Sequence, residues 1–177
     1  MTKKNLLIFM PSIDGWGVEK NFFLIINYLS KNFSNVSLIT SDKSIKKKIN
    51  NKVNLVGPNS NFWRTKSRYS KYFICIIYLA IFLLFNRNTL VFAFQANIYA
   101  ILVAKILNAK IVTRSNSSPQ GWSKNYFKKK LYSLLIHLAD DIMVNSIEFK
   151  KEFKKNFNLN AECIYNPFKK ISLKLHK

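Results

Sequence analysis

Residues 5–28 of the chain read NLLIFMPSIDGWGVEKNFFLIINY. The apolar run Leu6–Met10, closed by Pro11, predicts a buried β-strand. From Phe22 to Leu29, apolar residues recur at i, i+3, i+4 and i+7, which predicts an amphipathic helix. The chain therefore opens with a strand, a glycine-containing loop and a helix. Such a unit directs backbone N–H groups toward whatever lies above the carboxyl end of the strand.

Two glycines in this loop, Gly15 and Gly17, allow a ligand to approach the backbone closely. A dinucleotide-binding loop of the G-x-G-x-x-G type requires a third glycine, and Lys20 stands at that position. We therefore expect no dinucleotide cofactor. The glycine pair fits two interpretations at this stage, a ligand-binding loop or a tight turn between strand and helix.

Length and composition indicate one globular domain with a strong positive charge. The chain has 177 residues, 49% of them hydrophobic, which is enough to bury a core. Twenty-nine Lys and Arg face eight Asp and Glu, for a net charge of +21. This excess favours an anionic partner such as a membrane surface or a phosphorylated ligand, and a lysine-rich composition without functional meaning is the alternative. We find no nucleic-acid-binding module and expect no nucleic acid partner.

Cysteine and histidine usage points away from disulfides and metals. Cys75 and Cys163 lie in apolar runs, as expected of reduced thiols. The cysteines do not cluster with His137 or His176, so we predict no metal site. We expect His137, inside a helix, to be a packing or capping residue.

Strands and helices alternate along the rest of the chain. Further strands are predicted at Val36–Thr40, Val53–Val56, Leu90–Phe94, Ala109–Thr113, Asp141–Val144 and Ala161–Tyr165. Further helices are predicted at Tyr72–Phe85, at Ile98–Leu107 with Asn97 as N-cap, at Asn125–Ala139, and at Ile147–Phe157 after a capping box at Asn145–Glu148. The basic segment Lys43–Lys52 is predicted to be a surface loop.

This alternation predicts the fold class. We expect an α/β fold with a single doubly wound, mostly parallel, Rossmann-like sheet of about seven strands and helices on both faces. Such sheets bind ligands outside the carboxyl ends of their strands. The predicted substrate-binding residues are Gly15, Trp16, Gly17 and Glu19 after the first strand, Gln95 and Asn97 after the fourth, and Arg114, Ser115 and Asn116 after the fifth.

Residues 62–85 have an unusual composition. A basic and aromatic lead-in precedes the uncharged run Tyr72–Phe85, which is shorter than the roughly 18 residues of a membrane span. We predict a helix buried on the sheet. The lead-in also has the composition of a segment on an anionic bilayer, with Trp63, Arg64, Lys66, Arg68 and Lys71 as predicted membrane-surface residues.

Three motifs in this order resemble a known family. They are the strand followed by Gly15-x-Gly17-x-Glu19, the segment ADDIMVNS at 139–146, and the segment IYNP at 164–167. Together they resemble the N-terminal half of family-4 glycosyltransferases of the GT-B fold, over essentially the whole chain. In that family the last segment is the hinge into a second domain.

The resemblance implies a function in cell-envelope glycan synthesis, such as that of lipopolysaccharide. The family transfers a hexosyl unit, with retention, from a nucleotide sugar to a lipid-linked or polysaccharide acceptor. The N-terminal domain binds the acceptor, and its glycine loop lies near the donor phosphates. By this resemblance residues 1–167 form the acceptor-binding domain and residues 168–177 a basic tail at the hinge.

The chain departs from the family in two respects. The loop Arg114–Asn116 has neither the His nor the acidic–basic pair often found there, so we assign no catalytic residue. A retaining transfer that relies on the donor's own phosphate fits this loop, with Arg114 stabilising negative charge. The second domain, which holds the nucleotide sugar, has no counterpart here, so we expect a separate donor-binding domain or subunit as partner.

Two functional hypotheses follow. The first is the acceptor-binding half of a glycosyltransferase, with a glycolipid or glycan acceptor, incomplete without its donor-binding half. The second is a non-catalytic basic module that binds a membrane or a partner. Both are compatible with a cytoplasmic protein held peripherally on the inner face of the plasma membrane.

Overall fold

A computed structural model describes residues 5–13, 17–59, 61–95, 97–118 and 125–167. The strands are β1 (Asn5–Phe9), β2 (Asn35–Ile39), β3 (Val53–Val56), β4 (Thr89–Ala93), β5 (Lys110–Ser115), β6 (Asp141–Val144) and β7 (Glu162–Cys163). The α-helices are α1 (Gly17–Asn32), α2 (Arg68–Phe85), α3 (Asn97–Ile106), α4 (Tyr126–Ile136) and α5 (Ile147–Phe157). Two short 3₁₀ helices span Lys43–Lys48 and Asn61–Thr65.

All seven strands form one parallel sheet in the order β3-β2-β1-β4-β5-β6-β7. The first strand lies inside the sheet, where Leu7 pairs with Ser37 of β2 and with Val91 of β4. The strand order reverses between β1 and β4, and this reversal opens a crevice at the carboxyl ends of the two strands. The predicted fold class, a doubly wound Rossmann-like sheet, is confirmed.

The sheet has a hydrophobic core on each face because successive side chains of a strand point to opposite sides. Leu7 and Phe9 of β1 join the core formed with α2, α3, α4 and α5. Leu6 and Ile8 join the second core, which is covered by α1 and the 3₁₀ helix Lys43–Lys48. The chain therefore places four α-helices on one face of the sheet and one α-helix on the other.

Side-chain caps mark where several helices begin. The hydroxyl of Ser67 accepts a hydrogen bond from the backbone N–H of Ser70 at the start of α2. Asn125 caps α4 and Ser146 caps α5 in the same way. Helix α5 has the predicted bounds and ends at Asn158, which adopts the left-handed conformation with φ 55°. These polar residues satisfy backbone groups that a helix end leaves unpaired.

Gly57 is required by the packing at the end of β3. Its φ is +148°, and a Cβ atom built there would lie 2.1 Å from the carbonyl oxygen of Thr40. The glycine thus lets the chain leave β3 in contact with the end of β2.

Some predicted boundaries were wrong. The basic segment predicted as a loop contains the 3₁₀ helix Lys43–Lys48, because Ile45 turns into the core. The last strand is limited to Glu162–Cys163 since only these residues pair with β6. Helix α4 ends at Ile136, three residues before the predicted end at Ala139.

Helix α2 begins at Arg68, one turn before the predicted start. Its 18 residues are long and apolar enough to cross a membrane by length and composition. However, Cys75, Leu79 and Leu83 are buried against the sheet. The prediction of a helix packed on the sheet is confirmed for one side of α2, and the opposite side is exposed.

Candidate functional site

A cavity of about 520 Å³ lies at the carboxyl ends of β4 and β5. It opens between these strand ends and the three helices α2, α3 and α4. Its lining residues are Arg68, Tyr72, Phe94, Gln95, Asn97, Ile98, Tyr99, Arg114, Ser115, Asn116, Ser117 and Tyr132. This position, beside the reversal of strand order, is where open α/β sheets bind ligands. Five predicted substrate-binding residues therefore line one cavity: Gln95, Asn97, Arg114, Ser115 and Asn116.

Gln95 connects two strand exits at this cavity. Its Oε1 accepts a hydrogen bond of 3.1 Å from the backbone N–H of Ser12, which follows β1. The side-chain amide is thereby held in a fixed orientation next to the residues that follow β4. A fixed amide is suited to recognise a hydroxyl group, because its donor and acceptor positions are preset.

Asn97 connects the start of α3 to the end of β5. Its Nδ2 donates a hydrogen bond of 3.1 Å to the carbonyl oxygen of Arg114. The buried Oδ1 has no hydrogen-bond partner, so the predicted role as N-cap of α3 was wrong. A buried acceptor without a hydrogen-bond partner is unfavourable, and a group that donates a hydrogen bond to it would remove that cost.

Arg114 is almost fully buried, with 2% of its surface exposed. Its Nη2 donates hydrogen bonds to the carbonyl oxygen of Ile164 (3.0 Å) and to Oδ1 of Asn166 (3.1 Å). Burial lowers the pKa of this guanidinium, and an electrostatic interaction with Cys163 opposes that shift. Arg114 thus lines the cavity and also binds the segment after β7, a contact that the sequence analysis did not predict.

The polar loop after β5 is held by its own hydroxyl groups. Ser115 donates from Oγ to the carbonyl oxygen of Ser117 at 3.0 Å. Ser118 donates to the carboxylate of Glu152 on α5. These contacts attach the loop to α5, so Asn116 is presented to the cavity by an anchored segment.

The predicted glycine loop is described only in part. Gly15 and Trp16 lie outside the described residues. Gly17 is the first residue of α1. Glu19, in the first turn of α1, is buried and is not among the described residues that line the cavity.

Three tyrosines and one arginine also line the cavity and were not predicted as substrate-binding residues: Tyr72, Tyr99, Tyr132 and Arg68. The guanidinium of Arg68 lies 5.6 Å from the ring centre of Tyr72, within cation–π range. Burial raises the pKa of Tyr132, and a hydrogen bond with Tyr99 raises it further. Arg68 and Tyr72 come from α2, Tyr99 from α3 and Tyr132 from α4. No local pattern marks them, because they meet only when α2, α3 and α4 pack side by side.

Four of the five predicted membrane-surface residues lie at or near the surface. Arg64 is exposed and lies 3.5 Å from the carboxylate of Asp42. Lys66 and Arg68 are exposed, and Trp63 is half-buried. Lys71 is buried, with 8% of its surface exposed, so its assignment to the membrane surface was wrong. It lies on the side of α2 that carries Cys75, one turn further on, and this side faces the sheet.

Among the described residues, no group of three His, Cys, Asp or Glu could hold a metal ion. The described cavity lining contains two arginines and neither a carboxylate nor a histidine. The site as described is therefore positively charged, and it can bind and orient a ligand through aromatic rings, amides and guanidinium groups. It offers no acid–base pair among these residues.

No protein-family model matches the chain, and no curated protein matches it in sequence. Solved structures do match it. HepE from Anabaena, in complex with UDP and glucose, has a TM-score of 0.63 at 13% sequence identity. The match covers 93% of this chain and 45% of the HepE chain. The lipopolysaccharide outer core galactosyltransferase WaaB, in its apo form, has a TM-score of 0.63 at 17% identity, with 97% and 47% covered. A glycosyltransferase from Rickettsia africae has a TM-score of 0.60 at 20% identity, with 93% and 43% covered.

These likenesses show the fold. These three neighbours are GT-B glycosyltransferases, and the match to each covers nearly all of this chain. It spans less than half the length of each of these three proteins. At such low identity, a shared fold carries no substrate or mechanism with it.

Proposed function

We propose that this chain is the acceptor-binding half of a glycosyltransferase. In this proposal the complete enzyme transfers a hexosyl unit, with retention, from a nucleotide sugar to a lipid-linked or polysaccharide acceptor of the cell envelope. The observation that supports it most is the cavity at the carboxyl ends of β4 and β5, on a fold shared with GT-B glycosyltransferases. The motifs at 139–146 and 164–167 add a resemblance to family 4.

The chemistry of the cavity suits a sugar. Tyr72, Tyr99 and Tyr132 present flat aromatic surfaces with polar hydroxyl groups at their ends. Gln95 and Asn97 present amides, and the buried Oδ1 of Asn97 has no hydrogen-bond partner within the described residues. We propose that a hydroxyl group of the acceptor sugar donates to this oxygen. Rings and fixed amides together are the usual lining of a site that binds a small polar ligand.

The charge of the cavity suits an acceptor with a phosphate. The described lining has Arg68 and Arg114 and no carboxylate. Arg68 is exposed at the start of α2, where its guanidinium can reach a ligand that enters from solvent. A sugar joined to a lipid through phosphate would place negative charge at this rim.

We propose that the nucleotide-sugar donor binds to a separate domain or subunit. HepE is described in complex with UDP and glucose, and this chain covers 45% of it. We propose that a donor-binding domain or subunit packs near Ile164–Pro167 and completes the cleft. Because the described lining offers no general base, the proposed transfer relies on the donor phosphate, with positive charge on the acceptor side.

Ligand-observed NMR on the full chain tests this proposal. The ligands are neutral disaccharides, sugar phosphates and UDP-glucose. We expect sugar phosphates to show saturable binding that Asn97→Ala and Tyr99→Ala weaken about tenfold, as expected for loss of one buried polar or aromatic contact. Tyr28→Ala, at an exposed position of α1 on the other face of the sheet, is the matched control and should change nothing. UDP-glucose should show no saturable binding to the chain alone.

Two results would contradict the proposal. Turnover of UDP-glucose by the isolated chain would show that it is not a half enzyme. Absence of sugar binding, together with no glycosyl transfer after a donor-binding half is added, would remove the glycosyltransferase assignment.

The second candidate function is a non-catalytic module that binds a membrane or a protein partner. It is favoured by the exposed cations Arg64, Lys66 and Arg68 at the start of α2. Under this hypothesis the cavity has no sugar ligand, and the same NMR titration separates the two candidates. A cytoplasmic location at the inner face of the plasma membrane is proposed for either function.

A further inference from the structure

The outer sides of α2, α3 and α4 form a large exposed apolar surface. Helix α3 packs against α2 on one side and α4 on the other. The inner sides of all three helices join the same core. Exposed apolar side chains of the outer sides include Tyr69, Phe73 and Ile81 of α2, Ile106 of α3, and Leu131 and Leu134 of α4. We call this surface the three-helix face.

The three-helix face is not the random scatter of apolar residues that every protein surface shows. On α2 the exposed residues recur every fourth position, from Tyr69 through Phe73 and Ile77 to Ile81. Residues four apart lie one above the other on a helix, so they form a stripe of about 18 Å along the axis. Phe73, Ile106 and Leu134 are 66%, 72% and 62% exposed. Exposed apolar side chains that recur along one side of a helix, beside others on the neighbouring helices, are typical of a binding surface.

Charge identifies the partner. No Asp or Glu occurs in the sequences of α2, α3 and α4. Lys128, Lys129 and Lys130 are exposed in the first two turns of α4. Arg64, Lys66 and Arg68 lie at the start of α2, and both helices begin at the sheet edge that carries the cavity. An apolar surface bordered by cations, with no anions, is complementary to an anionic lipid bilayer.

The same charges oppose the pairing of two copies of this chain. A symmetric dimer through the three-helix face would bring each patch against itself. The lysines at the start of α4 would then meet cations, with no carboxylate on these helices to pair with them. Asp140, next to the end of α4, is already bound by Lys105 at 2.6 Å. A bilayer supplies the missing negative charge, and a second copy does not.

We propose that the three-helix face docks on an anionic lipid bilayer, with its apolar side chains in the interface and its lysines and arginines at the phosphate level. Long basic side chains can extend to the lipid phosphates while their stems remain in apolar surroundings. Tyr72, Tyr99 and Tyr132 of the same helices line the cavity, so docking brings the cavity to the membrane surface. This docking is independent of glycosyl transfer and extends beyond the lead-in Trp63–Lys71 predicted from sequence.

Vesicle flotation tests the proposal with the full chain. The vesicles contain phosphatidylcholine alone or with about 30% phosphatidylglycerol, a composition that attracts basic surfaces. We expect binding to the anionic vesicles and little to the neutral ones. Replacing Lys128, Lys129 and Lys130 by Gln should lower the partition coefficient about a hundredfold at low salt. The matched control replaces Lys46, Lys47 and Lys48 by Gln, an identical charge change on the other face of the sheet.

Apolar variants provide a second measurement. Phe73→Ser and Leu134→Ser should each weaken binding about tenfold, since each removes an apolar side chain from the interface. Tyr28→Ser, on α1, should leave binding unchanged. Because these side chains are exposed, we expect each variant to fold. Thermal unfolding of each variant checks this.

Three outcomes would overturn the proposal. Equal loss in the two triple-Gln variants would show attraction by total charge and not by this face. Absence of binding to anionic vesicles would exclude docking. A dimer in analytical ultracentrifugation that Phe73→Ser and Leu134→Ser dissociate, without an effect on flotation, would assign the face to a second copy. None of these measurements uses a sugar, so failure here would count against the membrane-binding candidate and would leave the glycosyltransferase proposal standing.

Discussion

Nη2 of Arg114 lies 3.1 Å from Oδ1 of Asn166, across 52 residues of sequence. The same nitrogen donates to the carbonyl oxygen of Ile164. A side chain that lines the cavity therefore also holds the segment that follows the last strand. In the proposed glycosyltransferase this segment would be the hinge to the donor-binding half, so one buried cation would contact both the cavity and the hinge.

Replacing Arg114 by Ala should destabilise the fold. The change removes two charge-assisted hydrogen bonds and leaves the Ile164 carbonyl and the Asn166 amide without their donor. We expect a loss of about 2–4 kcal/mol in the free energy of unfolding, measured by urea titration. Arg64→Ala is the control, because Arg64 is 61% exposed and its contact with Asp42 is 3.5 Å long. Equal losses in the two variants would refute a structural role for Arg114.

Replacing Gly57 by Ala should also destabilise the fold, for a steric reason. The new methyl group would lie 2.1 Å from the Thr40 carbonyl oxygen, at a φ of +148°. We expect a loss of about 1–3 kcal/mol, again from urea titration. Asn54→Ala, at an exposed position of β3, should change stability by less than about 0.5 kcal/mol. A Gly57→Ala variant as stable as the parent would show that β2 and β3 can separate at this point.

Asp140 should make stability depend on pH at the acid end. Desolvation raises the pKa of its carboxyl, but hydrogen bonds from Lys105 and from the backbone N–H of Ile111 lower it, and the net shift is downward. A pKa that is lower in the folded state contributes stability above the unfolded pKa, and this contribution disappears as the pH falls through the folded pKa. We therefore expect Asp140→Asn to melt below the parent at pH 7 and close to it at pH 2.

The control for this prediction is the neighbouring Asp141, which is exposed. Asp141→Asn should retain the parent's loss of stability between neutral and acid pH. If Asp140→Asn shows the same difference from the parent at both pH values, the hydrogen bonds of Asp140 do not contribute through its charge.

The two cysteines should differ in reactivity. Cys75 is fully buried, and burial raises the pKa of its thiol to about 12, whereas Cys163 is half-buried. Since the thiolate is the nucleophile, iodoacetamide at pH 8 should modify Cys163 in the native protein well before Cys75. Mass spectrometry of the modified peptides measures the two rates, and Cys163→Ser should leave the native chain almost unreactive. Equal rates in the folded state would contradict the packing of α2 on the sheet.

The fold was predictable because its signals are local. Each strand is a short apolar run bounded by turn residues, and each helix has its own apolar period, so these signals together separated them. Helix α5 was predicted with both bounds correct, since Ser146 caps it and the apolar pattern ends at Phe157. The 3₁₀ helix Lys43–Lys48 was missed because its single buried residue, Ile45, is hidden among lysines.

The polar half of the cavity was also predictable. Gln95, Asn97, Arg114, Ser115 and Asn116 lie at or just after the ends of β4 and β5, with Arg114 and Ser115 as the last two residues of β5. Parallel strands bring their carboxyl ends to one edge. Which polar atoms of the cavity already have hydrogen-bond partners could not be predicted, because those partners lie far away in the sequence. Asn97 donates to a carbonyl 17 residues away, and Arg114 donates to one 50 residues away.

The amino-acid order of this chain specifies a parallel sheet, its strand ends and a basic, aromatic second helix, because local hydrophobic periodicity and turn residues act over a few positions. The packing of α2, α3 and α4 specifies the aromatic part of the cavity and the exposed surface of these helices. It brings Tyr72, Tyr99 and Tyr132 into one cavity, turns Lys71 inward, and joins the outer sides of the three helices into one apolar face. These features depend on the rotation of each helix against the sheet, and that rotation is a compromise among all contacts of the core.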